Sequence, residues 1–122
     1  MTESDMWCAI AVLFFTTTDY ITGTIKAIMK GDLSSQKMRT GLGHKLTYLI
    51  ITVTAWFIDT VNTHVSLGFP INVFVCTVSG ICLIELTSIL ENITAINPEL
   101  ENTPLINIFK QNNTKPKHKE EK

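Results

Sequence analysis

Three carboxylates, Asp19, Asp59 and Glu85, stand inside apolar stretches of a 122-residue chain. On insertion scales an ionised side chain costs about 2.5–3.5 kcal/mol at the centre of a membrane helix, so each of the three needs a physical reason to be there. Two kinds of chemistry are open to them. They can accept hydrogen bonds and ion pairs from neighbouring helices inside one bundle. Alternatively, carboxylates from several copies can face a shared, water-filled lumen or act as an ion relay.

Helical spacing gives each carboxylate a polar stripe. Thr16, Asp19, Gly23 and Ala27 share one face of the first segment. Gly23 and Ala27 form a small-xxx-small pair that lets another helix approach closely. Tyr48, Thr52, Ala55, Asp59 and Asn62 form a stripe in the second segment, and Glu85, Ser88 and Asn92 in the third, with Glu91 to one side. Each segment therefore carries a lipid-type face and a polar face.

The elements that must position these stripes are three apolar stretches. The first begins at Met6 and Trp7 and continues to about Met29. The second runs from Leu46 to about Thr63. The third runs from Ile71 to about Ile93, after a turn marked by Ser66, Gly68 and Pro70. Asn97-Pro98 breaks the third helix. A short interfacial helix is expected over residues 99–110, around Leu105, Ile106 and Phe109. Beyond Gln111 the composition is polar and charged, and the tail is expected to be disordered. This divides the chain into a membrane domain, residues 1–110, and a charged cytoplasmic tail, residues 111–122.

The cations are sorted. Lys26, Lys30, Lys37, Arg39 and Lys45 form one basic stretch, and Lys110, Lys115, Lys117, Lys119 and Lys122 form the other. Basic loops are retained on the cytoplasmic side of a bacterial inner membrane. The chain therefore reads as an all-α, multi-pass protein of the bacterial cytoplasmic membrane. It has about three transmembrane helices, the N-terminus outside and the C-terminus inside, with a basic cytoplasmic loop and a basic tail. A version in which only the last two segments span also keeps both basic stretches inside. The charge-free runs are Met6 to Thr18, Leu46 to Ile58 and Thr60 to Ile84. The first two reach the roughly 20 residues of a span only with Asp19 and Asp59 inside the membrane. A soluble bundle would need Lys and Glu on its outer faces, which the middle of the chain lacks. Lys26 and Lys30 continue the first stripe and can snorkel toward the headgroups.

Other chemistry finds no support. There is no phosphate loop or dinucleotide fingerprint. His44, His64 and His118 have no ligand spacing, and no Ser/His/Asp set is present. Cys8, Cys76 and Cys82 match neither a disulfide framework nor a zinc pattern. They read as small apolar fillers. No metal, no cofactor, no enzymatic activity and no nucleic-acid partner is expected. The acidic N-terminus lacks the basic region of a secretory signal, so the first segment is expected to remain in the mature protein.

Several elements coincide in order. Asp19-Tyr-Ile-Thr-Gly23 precedes Lys26-Ala27, and Leu33-Ser-Ser-Gln-Lys-Met-Arg-Thr-Gly41 leads to Lys45. Asp59 ends the second segment. Glu85-Leu-Thr-Ser-Ile-Leu-Glu-Asn92 ends the third, with Pro98 and Pro104 beyond. Over roughly residues 10–110 this resembles the phage-lysis and toxin-secretion holins of Gram-positive phages and clostridia. The chain departs from that pattern after Asn92, where Ile96-Asn97-Pro98 replaces a Gly and a small apolar run. The resemblance implies a homo-oligomer in the lipid bilayer that forms lesions, coupled to an endolysin or an exported toxin and in some cases to an antiholin. It implies no catalytic residue. Asp19, Gly23, Ala27, Asp59, Glu85, Ser88, Glu91 and Asn92 become candidates for lining or assembling the lesion. It also raises a second translation start at Met6, which would remove Glu3 and Asp5. A single start at Met1 is the simpler reading. The alternative function is a small-ion channel or transporter subunit using Asp19, Asp59 and Glu85 as a relay. A third is a structural subunit of another membrane complex.

Overall fold

A computed structural model describes residues 1–108 of the chain. The tail over residues 111–122, with Phe109, Lys110 and His118, lies outside the described residues.

Three long helices account for most of the fold: α1 (Glu3–Met29), α2 (Ser35–His64) and α3 (Val73–Ile96). Local sequence explains their ends. Thr2 caps α1 in a capping box, its hydroxyl accepting from the Asp5 amide while the Asp5 carboxylate accepts from the Thr2 amide. Ser34 caps α2 and Asn72 caps α3. Past the end of α1, Gly31 takes φ 66°, the left-handed conformation that glycine adopts without steric cost. This lets the Asp32 amide donate to the Ala27 carbonyl at 2.8 Å and closes a Schellman motif. Pro98 then opens a 3₁₀ helix, η1 (Pro98–Asn102), and a helical turn follows over residues 104–108. The interfacial helix expected there is thus two short pieces, with Ile106 buried and Leu105 and Ile108 exposed.

The basic stretch differs from expectation. It is not a long loop. Only residues 30–34 are non-helical, and Lys37, Arg39 and Lys45 belong to α2. The Ser34 cap starts the helix, and Gly41 and Gly43 do not stop it because neither takes a positive φ.

Helix α3 is central. It packs along α1 and against α2, whereas α1 and α2 touch each other sparingly. One end of the bundle collects the start of α1, the end of α2 and the start of α3. The other collects the end of α1, the start of α2 and the later turns of α3. Val12, Ala55, Phe74, Val78 and Ile81 form the apolar core, with Trp56, Leu49, Cys8 and Cys82 against it.

Beside that core the bundle also buries polar side chains, and it exposes large apolar ones. Thr16, Asp19, Thr52, Glu85 and Asn92 are buried, while Leu13, Phe14, Ile21, Ile50, Ile51, Val53, Phe57, Leu83 and Ile84 are exposed. Two helices, α1 and α3, are long and apolar enough to cross a membrane. α2 does not meet the same measure, because Tyr48, Trp56, Asp59 and several threonines dilute its apolar run.

Candidate functional site

The three polar stripes turn inward and meet. Asp19 on α1, Lys45 on α2 and Glu85 on α3 form one ion cluster. The Lys45 ammonium donates to Oδ2 of Asp19 and to both carboxylate oxygens of Glu85, at 2.9 and 2.8 Å. It also lies 5.6 Å from the centre of the Tyr48 ring, a cation–π distance. Glu85 is 1% exposed and Asp19 9%. Two carboxylates thus share one cation in an enclosed place, where removing either sign leaves an uncompensated charge.

Asn92 completes the cluster. Its side-chain nitrogen donates to Oδ1 of Asp19 at 3.0 Å and to the Thr22 hydroxyl at 3.1 Å. This contact depends on close approach between α1 and α3. A Cβ built on Gly23 would stand 3.6 Å from that Asn92 nitrogen, so the glycine face is where the two backbones come together. Among the described residues, no buried side-chain nitrogen or oxygen lacks a hydrogen-bond partner. The hydroxyls of Thr16 and Thr52 donate back to the carbonyls of Val12 and Tyr48, at 2.7 Å each.

Asp59 does different work at the opposite end of the bundle. Its two carboxylate oxygens accept from the amides of Val73 at 3.0 Å and Phe74 at 2.7 Å. Asn72 takes the next amide, that of Val75. The first three amides of α3 are therefore satisfied, two of them by a side chain of α2, and a negative charge sits at the positive end of the helix. Asn62 accepts from the Leu67 amide and donates to the Phe69 carbonyl, holding the connection between α2 and α3.

A cleft of ≈ 340 Å³ opens beside the ion cluster, between α1 and α2. Its inner wall includes Asp19, Lys45, Ser88 and Asn92, its sides Gly23, Ala27 and Gly41, and Lys26 and Lys37 also line it. Lys37 is paired with Asp32 at 2.6 Å. That exposed pair holds the Asp32 carboxyl below the usual carboxylate range, first through the hydrogen bond from Lys37 and then through its charge. Lys30, Arg39 and Glu91 are exposed on the surface.

The structure thus brings together Asp19, Gly23, Glu85 and Asn92, sets Ala27 and Ser88 along the cleft, and places Asp59 apart from them. Sequence reasoning missed the role of Lys45. A signal was present: Lys45, Tyr48 and Thr52 follow at helical spacing, so the lysine begins the polar stripe of α2. It also missed Thr22 as a partner of Asn92, because that pairing depends on how α1 and α3 are rotated.

Residues 2–111 match the family model described as the bacteriophage holin family. No curated protein and no solved structure matches the chain.

Proposed function

The chain belongs to the bacteriophage holin family, and on that premise we propose that it oligomerises in the bacterial cytoplasmic membrane and opens lesions there. It catalyses no reaction itself. The lesion gives a cell-wall hydrolase or a toxin its route across the membrane, or ends the membrane potential.

The observation that carries this reading is the distribution of polarity, with exposed Phe14, Ile50, Phe57 and Leu83 outside and buried Asp19, Glu85 and Asn92 inside. Apolar outer faces suit hydrocarbon, and the hydroxyls of Thr16, Thr22, Thr52 and Thr54 donate back to helix carbonyls. Helices of 27, 30 and 24 residues extend about 40, 45 and 36 Å, enough for a hydrocarbon core of about 30 Å. The three-span topology, N-terminus outside and C-terminus inside, is supported by the cations. Lys26 lies in the last turn of α1, Lys30 just past its end, and Lys37 and Arg39 in the first turns of α2. The other end carries Glu3, Asp5 and Asp59 and, among the described residues, no Lys or Arg.

In this reading the described bundle is the closed form. The Asp19–Lys45–Glu85 cluster holds the polar stripes against one another within one copy. In an assembly the same stripes turn toward a shared aqueous lumen, where water replaces the intramolecular partners. An endolysin or toxin is the functional partner the reading requires, and an antiholin is an optional one. Inducing the chain in a bacterium, with and without a co-expressed endolysin, tests it. Abrupt lysis that requires the endolysin is expected. Undisturbed growth in both cultures sinks the proposal.

The enclosed carboxylates also favour a second reading, a small-ion path with Asp19, Lys45 and Glu85 as its relay. The two differ in size selection. A lesion passes folded protein, whereas an ion path depolarises the cell and retains the endolysin.

A further inference from the structure

The cleft between α1 and α2 has features of a ligand site that the closed bundle does not need for its own stability. Its charges are mostly spoken for. Lys37 is paired with Asp32, and Lys45 with Asp19 and Glu85. Lys26 is the remainder: it lines the cleft, is half-buried, and makes no ion pair among the described residues. Lys26 is thus a cleft cation without an ion partner, next to a cluster in which two carboxylates share a single ammonium. The Tyr20 hydroxyl, 3.5 Å from the Met38 carbonyl and so weakly held, and Ser88 line the same cleft. The volume of ≈ 340 Å³ falls at the small end of ligand pockets, which run from about 300 Å³ upward. The outer surfaces of α1 and α2 near this end are apolar, with Ile25 and Ile28 exposed on one and Leu42 and Leu46 on the other.

We propose that this cleft binds a phosphodiester monoanion, the headgroup of an anionic phospholipid. Lys26 neutralises the phosphate, Tyr20 and Ser88 donate hydrogen bonds, and the acyl chains follow the apolar surfaces of α1 and α2. Next to a cluster with one excess negative charge, the single Lys26 cation suits a diester monoanion better than a doubly charged monoester. The neighbouring carboxylates are engaged with Lys45 and Asn92. Asp19, the cluster carboxylate that lines the cleft, has both oxygens bonded, and Glu85 is 1% exposed, so neither opens toward the ammonium of a zwitterionic headgroup. The headgroup would wedge α1 from α2, the pair that touches least, next to the cluster that holds the bundle closed.

The inference rests on the membrane reading above, so the test separates the two. The full chain is first floated with phosphatidylcholine vesicles. Failure to float overturns the membrane reading and the lipid site with it. The detergent-solubilised full chain is then examined by native mass spectrometry with added phosphatidylglycerol or phosphatidylcholine. Preferential retention of phosphatidylglycerol is expected, falling about fivefold in Lys26→Gln, the effect of one cation near a membrane surface. Lys26→Arg should retain it. Arg39→Gln, exposed and outside the cleft, should leave it unchanged. Equal retention of the two lipids overturns the site, as does an equal loss in Lys26→Gln and Arg39→Gln, which would mean diffuse charge. Soluble glycerophosphoglycerol serves as a competitor. Displacement of the lipid only at large excess supports a lipid ligand, and binding as tight as the lipid's reassigns the cleft to a free phosphodiester.

Discussion

The ammonium of Lys45 lies 2.9 and 2.8 Å from the two carboxylate oxygens of Glu85, although 40 residues separate the two in sequence. The same ammonium reaches Asp19, so one cation on α2 ties α1 to α3. Of the three charges, the lysine is the one whose loss leaves two like charges facing each other.

Lys45→Met should therefore be the most damaging change in the cluster. Breaking a buried pair by removing one partner costs about 3–5 kcal/mol. Glu85→Gln should cost less, because it leaves Asp19 and Lys45 as a matched pair. Combining Lys45→Met with Glu85→Gln should recover part of the loss. Thermal unfolding in detergent measures all three, and a Glu85→Gln loss as large as that of Lys45→Met contradicts the charge assignment.

Lysis timing should follow the same order. If the cluster holds the closed form, Lys45→Met should advance the onset of lysis, and Glu85→Gln should advance it less. The measurement is culture turbidity after induction, at matched protein levels. Unchanged timing in both would reduce the cluster to a packing role.

Asp59→Ala should loosen the start of α3 alone. Two amides lose their acceptors, at a cost of about 1–2 kcal/mol for a lost helix cap. Asp59→Asn keeps an acceptor and should cost less. Hydrogen exchange at Val73 and Phe74 should accelerate in Asp59→Ala while exchange around Glu85 holds. Uniform acceleration along α3 would speak against a local cap.

Gly23 should tolerate one methyl and no more. A Cβ there meets Asn92 at 3.6 Å, an ordinary contact. Gly23→Ala should keep the fold, whereas Gly23→Leu should force α1 from α3, costing about 1–3 kcal/mol as overpacking. A Gly23→Leu protein as stable as the parent would show that the helices do not approach here.

The Asp32–Lys37 pair should show in a titration. A carboxyl held below its ordinary range contributes stability above the unfolded-state pKa and loses it as pH falls through the lowered folded value. The pair is exposed, so the effect on folding is small. By NMR the Asp32 carboxyl should titrate below a free aspartate, and Lys37→Gln should return it. A titration unmoved by that substitution would remove the pair from consideration.

Much of this was legible in the sequence. Apolar runs and Asn97-Pro98 mark three helices and the end of the third because those signals are local, whereas the Thr2 and Ser34 caps start α1 and α2 ahead of the apolar runs that the sequence reading followed. The polar stripes were legible for the same reason: period 3.6 places Asp19 with Gly23, and Glu85 with Ser88 and Asn92, whatever surrounds them. The grouping of Lys26, Lys30, Lys37 and Arg39 around the end of the first helix was legible as well. The partners were not legible, because they depend on how helices are rotated against each other. Asp19 and Asp59 carry the same side chain on similar stripes, yet one is bound by a lysine and an asparagine and the other caps a helix. Lys45 stands among cations that read as a surface loop, and only the continuation of α2 through Gly41 and Gly43 carries it inside. Sequence alone determined that the chain would be helical, apolar outside and polar along one face of each helix, because those properties follow from short-range periodicity. Tertiary structure decided which polar groups satisfy which, because a buried charge takes the partner that packing brings within hydrogen-bond reach.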